Sequence, residues 1–279
     1  MNKFLTILRN QKSITLFLII GYCSILLFFH QSAGKLFAEL VDSITRKKSD
    51  NILFVFFLFI FFVYLIKLFS NKVRINKRQL IFLLPTFIIS FYTFFCLFVN
   101  NIELIHFAQY ALLTLLIFPL SNRVGSAIFL SSFFGIMDEA FQYYNTYNEL
   151  RPTLGYFDFN DVIANILGSA FMGIMLIPFN SSKVHYREFF CLKELRFLFI
   201  IVVSLIIFLF IDFISFFNSD AIIILNQQIS KEESFFTIVP PGVVYHIIKP
   251  LEGIIFVILL LLFYFMIDLK PNFALSNEK

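Results

Sequence analysis

Apolar stretches of 17 to 22 residues recur along this chain, and their length decides what it can fold into. A helix needs about 20 mostly apolar residues to cross about 30 Å of hydrocarbon. Open strands cannot take that path, because their edges would leave unpaired backbone groups in lipid. Read this way, the runs predict eight spans, at 14–30, 51–69, 79–99, 103–120, 124–144, 158–178, 196–217 and 251–268. The expected fold class is all-α, a polytopic transmembrane bundle of about eight helices. Composition agrees. The chain is 59% hydrophobic and 14% charged, with a mean hydropathy of +0.85, whereas a soluble domain carries about 25% charge. The lipid bilayer is therefore the expected partner, and a multi-pass position in the cell membrane the expected location.

The net charge of +4 is no signal for nucleic acid once its distribution is considered. Cys23, Cys96 and Cys191 are far apart and make neither a disulfide framework nor a metal-ligand spacing. No cofactor and no metal is expected. Lys3, Arg9 and Lys12 precede the first apolar run, which is long and has no small-residue cleavage site after it. That pattern predicts an uncleaved first helix.

Orientation follows from the basic residues, which favour cytoplasmic loops. Lys72, Arg74, Lys77 and Arg78 fill one loop, and Lys183, Arg187, Lys193 and Arg196 another. With eight spans both loops fall on the side of the two termini, which are expected to be cytoplasmic. That side holds 15 of the 22 basic residues, and the other holds 14 of the 18 acids. Arg46, Lys47 and Lys48 are the misfit, since they land outside. A seven-span variant with an interfacial segment at 35–45 is the alternative. Three regions result. Residues 1–78 carry two helices, an outer loop and a basic loop. Residues 79–178 form a four-helix unit. Residues 179–279 carry two more helices and an outer segment, 219–250, with Pro240-Pro241.

The informative residues are those that lipid should reject. Glu103, His106 and Tyr110 stand at i, i+3 and i+7, on one helical face, with Gln109 at its edge. Asp138 and Gln142 stack at i, i+4, and Glu139 is turned by about 100° from Asp138. Arg151 follows in a loop and is the obvious counter-charge. Asp158, Asp161, Asn165 and Gly168 again share one face. The topology puts these three polar faces at the same, outer, end of the bundle. Four or five carboxylates against one Arg and one His leave excess negative charge. Protonation, a cation or a basic ligand group must offset it. Gly135, Gly168 and Gly173 mark close helix packing.

Quieter roles compete for each residue. Asp158 suits a helix N-cap, and Asn165 and Gly168 suit packing. His106 with Glu103 suits a structural pair. Asp138, Glu139, Gln142 and Arg151 suit interhelical glue. Asp212 reads as an interfacial acid. His246 and Glu252 could join the cluster, but sequence does not bring them close.

At these residues the chain resembles the VanZ-like family of bacterial membrane proteins. The resemblance rests on Glu103, His106-Phe107 and Tyr110, then Gly135-x-x-Asp138-Glu139-x-x-Gln142, then Arg151, then Asp158-x-x-Asp161-x-x-x-Asn165-x-x-Gly168. It covers residues 80–178. The loop Pro152–Phe157 is longer than the family's compact form, and Glu103 stands where Asp is common. The resemblance implies a cell-envelope protein, and the family's namesake is associated with low-level teicoplanin resistance. The leading expectation is binding of an envelope component, a cell-wall precursor or a glycopeptide, in an outward-facing acidic pocket. An intramembrane enzyme on a lipid-linked precursor is the alternative, with Glu139 or Asp138 as acid/base and His106 as partner. A transporter ranks last, because no inverted repeat is visible.

Overall fold

The computed structural model describes residues 2–43, 52, 55, 62, 77–98, 101–143, 157–180, 184, 188, 191–215, 223–225, 237–239 and 243–269. Its framework is helical: α1 (Asn2–Asn10), α2 (Lys12–Ser43), α3 (Lys77–Tyr92), α4 (Ile105–Ser121), α5 (Val124–Gln142), α6 (Phe159–Leu176), α7 (Lys193–Phe210) and α8 (Pro250–Phe265). Four segments are long and apolar enough to cross a membrane: Arg78–Leu97, Val124–Gln142, Phe159–Phe179 and Pro250–Asp268. The α1–α2 pair, bent by 100°, makes a fifth if taken as one span. Apolar side chains such as Phe17, Leu84, Phe199 and Phe210 stand exposed on the helices, which suits a lipid-facing surface.

The predicted span 51–69 lies outside the described residues, apart from three single positions. The predicted span 103–120 is the 17-residue α4, entered through a 3-10 turn at Asn101–Leu104. Helix α2 continues without a break to Ser43, so 35–43 extends the first apolar helix. The predicted span 196–217 is shorter than expected, because α7 stops at Phe210. Asp212 takes a left-handed φ of 55° there. Phe213 N–H donates to Phe208 O and Asp212 N–H to Leu209 O. This is a Schellman-type stop, with a short polar side chain where glycine is usual. The chain beyond makes small pairings. Strand β1 (Ile214–Ser215) runs parallel to β2 (Ile223–Ile224), and β3 (Thr237–Val239) runs antiparallel to β4 (Val243–Tyr245).

Helix α6 is the centre. It packs against α3, α4, α5 and α8, and 72% of its span is buried, against 33% for Arg78–Leu97. Polar threads tie the outer helices to one another and to α6. Thr86 Oγ1 lies 2.8 Å from Tyr264 Oη, joining α3 to α8, and Gln79 Nε2 donates to Ile174 O at 3.2 Å. The Thr15 hydroxyl sits 2.7 Å from Leu8 O and covers a carbonyl at the α1–α2 bend. Asn122, at φ 54°, closes the tight turn between α4 and α5. At that end of the bundle Arg78 donates to Met266 O, Arg123 pairs with Glu194, and Arg9 lies over the Phe118 ring. Asp268 meets the N-terminus of α5 there, interacting with the Gly125 and Ser126 backbone, where the helix dipole favours an anion.

Small residues set the spacing of the inner helices. A Cβ on Gly168 would stand 2.5 Å from Phe107 O, so α6 and α4 touch backbone to backbone. The nearest atoms to a Cβ on Gly173 would be side-chain atoms of Ile128 and Val124 on α5, with no backbone among them. We expect Gly168→Ala to lower stability in detergent by about 1–3 kcal/mol, the usual range for overpacking, and Gly173→Ala by less. The chain has no Trp, so thermal denaturation followed by size-exclusion chromatography is the measurement. Equal midpoints for the two variants would contradict the backbone contact.

Candidate functional site

The start of α4, the end of α5 and the start of α6 meet at the end of the bundle opposite Arg78 and Arg123. Helix geometry makes this convergence: α4 and α6 enter where α5 leaves. His106 is 3% exposed, and its Nδ1 lies 2.8 Å from Asn165 Oδ1. Its Nε2 lies 3.6 Å from Asp161 Oδ2. The Tyr110 hydroxyl donates to Asp138 Oδ2 at 2.8 Å, and both residues are fully buried. Glu139 is buried as well and accepts a long contact of 3.5 Å from Gln142 Nε2. The Asn165 amide nitrogen is buried and makes no hydrogen bond among the described residues.

Serine hydroxyls deeper in the bundle hold the backbone at two of these residues. Ser131 Oγ donates to Tyr110 O at 3.1 Å, and Ser169 Oγ lies 2.9 Å from Ser131 Oγ and 2.9 Å from Asn165 O. Gly135 admits the site's packing, since a Cβ there would come within 2.8 Å of Asn165 Cβ and 3.1 Å of Tyr110 Cε1. Asp158 is the N-cap of α6 and accepts from the N–H groups of Asn160 and Asp161. Burial and the Asp161 carboxylate push Asp158 up to about 7, while those two N–H groups pull it down. Capping and proximity to the acids are therefore one position's two properties.

Glu103 is half-buried on the turn before α4. Tyr245 lies close enough to feel both Asp158 and Glu103, which reinforce the upward push that burial gives its hydroxyl. Segment 245–249 thus borders the acid cluster. His246 bonds Glu252 through Nε2, at 3.0 and 3.2 Å, and forms a separate pair of its own. Arg151, the expected counter-charge, lies outside the described residues.

Sequence reasoning passed over Asn160. Its Nδ2 donates to Leu97 O and His246 O, each at 3.0 Å, and its Oδ1 accepts from Ile248 N at 3.1 Å. One side chain therefore fastens the end of α3 and the approach to α8 onto the first turn of α6. Its neighbour Asp161 drew attention as a charge. Nothing in the local pattern marked a neutral amide with three distant partners.

The expectation of no metal rested on the lack of a second histidine near His106. In space, His106, Glu139 and Asp161 bring three ligand atoms within 4.8 Å of one another. No family model matches the chain, and neither a curated protein nor a solved structure matches it significantly. The fold and site define an integral membrane class only at the level of apolar helices suited to a bilayer.

Asn160→Ala strands three buried backbone groups, each costing about 1–3 kcal/mol when unpaired. We expect it to lower the thermal midpoint more than Asn180→Ala, which removes one contact, to Asp268 at 3.0 Å. Parallel melts of the two detergent-purified variants measure the difference, and the reverse order would contradict the fastening role.

Proposed function

We propose that this chain is an integral membrane protein of the bacterial cell envelope, related to the VanZ-like family. It binds an envelope component through the pocket of His106, Tyr110, Asp138, Glu139, Asp158, Asp161 and Asn165. The observation that carries this reading is the convergence of buried carboxyl, imidazole and amide groups from three helices at one bundle end. Glue alone needs no such charges, because hydroxyl or amide groups would join the helices at lower desolvation cost. The pocket offers acceptors to hydroxyl or ammonium groups, which cell-wall precursors and glycopeptides carry.

An apolar cavity of about 230 Å³ supports a ligand with a lipid tail. It lies between α5, α6, α7 and α8, with Phe157 and Phe159, the neighbours of Asp158, in its wall and Phe129 and Leu261 further along those helices. A lipid-linked wall precursor therefore fits better than a soluble fragment. The basic residues Arg9, Arg78 and Arg123 gather at the opposite end, so the positive-inside rule turns the acidic end outward.

A second reading is enzymatic. His106 Nε2 and Asp161 Oδ2, 3.6 Å apart, are placed to pass a proton to or from a bound substrate.

Binding of a lipid-linked wall precursor by purified protein, followed by native mass spectrometry, tests the main reading. Asp138→Asn is expected to reduce binding at least about tenfold, the equivalent of about 1.4 kcal/mol, with membrane levels unchanged. Unaltered binding by Asp138→Asn would remove the pocket from the function, and teicoplanin susceptibility that ignores the variant would remove the resistance role. Orientation has its own check, in a background with the three native cysteines replaced by serine. Asn145→Cys is expected to react with an impermeant maleimide in intact cells, and Ser181→Cys only after permeabilisation. The opposite pattern would place the pocket in the cytoplasm.

A further inference from the structure

We propose that His106, Glu139 and Asp161 form a binding site for one divalent transition-metal ion of the zinc class. This goes beyond the ligand-binding reading above and does not depend on which envelope component the pocket takes.

The geometry comes first. The three ligand atoms all lie within 4.8 Å of one another, and His106 Nε2 is 3.6 Å from Asp161 Oδ2. A tetrahedral zinc with bonds of about 2.0–2.2 Å sets its ligand atoms about 3.3–3.6 Å apart. One pair already has that spacing, and small side-chain rotations bring in the third. One imidazole and two carboxylates leave a fourth position open, the arrangement of zinc sites that keep an exchangeable ligand.

Proton placement is the second, independent observation. Asn165 is fully buried and meets His106. Its amide oxygen lies 2.8 Å from His106 Nδ1 and can only accept, so that nitrogen carries the hydrogen. In the neutral ring this leaves the lone pair on Nε2, directed at Asp161 Oδ2. Fixing a histidine's other nitrogen with a buried acceptor is how metal sites set tautomer and ring angle. Asp161 Oδ1 adds to the case, being a buried oxygen with no hydrogen-bond donor among the described residues.

Charge is the third argument. Two carboxylates with a divalent ion and a neutral imidazole sum to zero. Loading thus removes the cost of holding two like charges together at the end of a membrane bundle. The ion also changes what the pocket selects. Its open position takes an oxygen ligand such as water, hydroxyl, carboxylate or phosphate, where the bare acids take cations.

The test uses the full chain in detergent, stripped with a chelator and titrated with zinc by calorimetry. One zinc per chain is expected. Glu139→Gln and Asp161→Asn should each weaken binding at least about tenfold, since even outer-shell changes cost 10–100-fold. Glu252→Gln, which alters the separate His246–Glu252 pair, should leave binding unchanged. X-ray absorption at the zinc edge of the wild-type protein should show one imidazole nitrogen with oxygen ligands and no sulfur. This second measurement decides the matter if a variant fails to fold. Absence of saturable binding, equal affinity in the carboxylate variants, or a sulfur or multi-imidazole shell would overturn the proposal. If the metal site falls in one of these ways, capture of the lipid-linked precursor by metal-free protein would leave the binding reading intact.

Discussion

A polar group buried in this bundle can gain a partner only within the protein, because lipid offers none. That constraint organises the molecule around α6. Its Asn160 meets α3 and the approach to α8, its Asn165 meets α4, and its Ser169 meets Ser131 of α5. The contacts climb the helix in order, so α6 cannot shift or rotate without stranding several of them at once. Apolar packing alone would permit such sliding, since one Leu replaces another at little cost. The Gly168 contact with the Phe107 backbone adds a steric stop at the same level.

The two ends of the bundle have opposite chemical characters. Arg9, Arg78 and Arg123 cap carbonyls, pair with Glu194 or lie over an aromatic ring at one end, where Asp268 answers the α5 dipole. At the other end acids outnumber the cations that the described residues supply. At the first end each of the three arginines has a partner within the protein. The second invites something from outside the chain, a ligand group or an ion, and that asymmetry is the physical basis of the functional reading.

Much of this was legible because helical period and span length are local properties. Glu103, His106 and Tyr110, or Asp158, Asp161 and Asn165, announce a shared face from their spacing alone. Antiparallel succession then sends the three polar ends the same way. Asp158 as an N-cap followed equally from residue type and position. The exact stop of α7 did not, because the run from Phe197 to Phe217 is apolar almost throughout and Asp212 is its one charged residue. A single Asp can sit in a helix or end one, and its left-handed φ is a choice made by the surrounding chain. Asn160 was illegible for a related reason: its partners lie 63 to 88 positions away.

Local sequence determined that this chain is helical, apolar enough for a bilayer, and polar on three particular helix faces, since each property rests on neighbours within two turns. Which polar atoms meet was decided by the tertiary structure. The pairing of His106 with Asn165, of Tyr110 with Asp138, and the approach of Glu139 to Asp161 all depend on how helices are rotated about their own axes. That rotation is set by close contacts at Gly135 and Gly168, between residues far apart in the chain, and no periodicity records it.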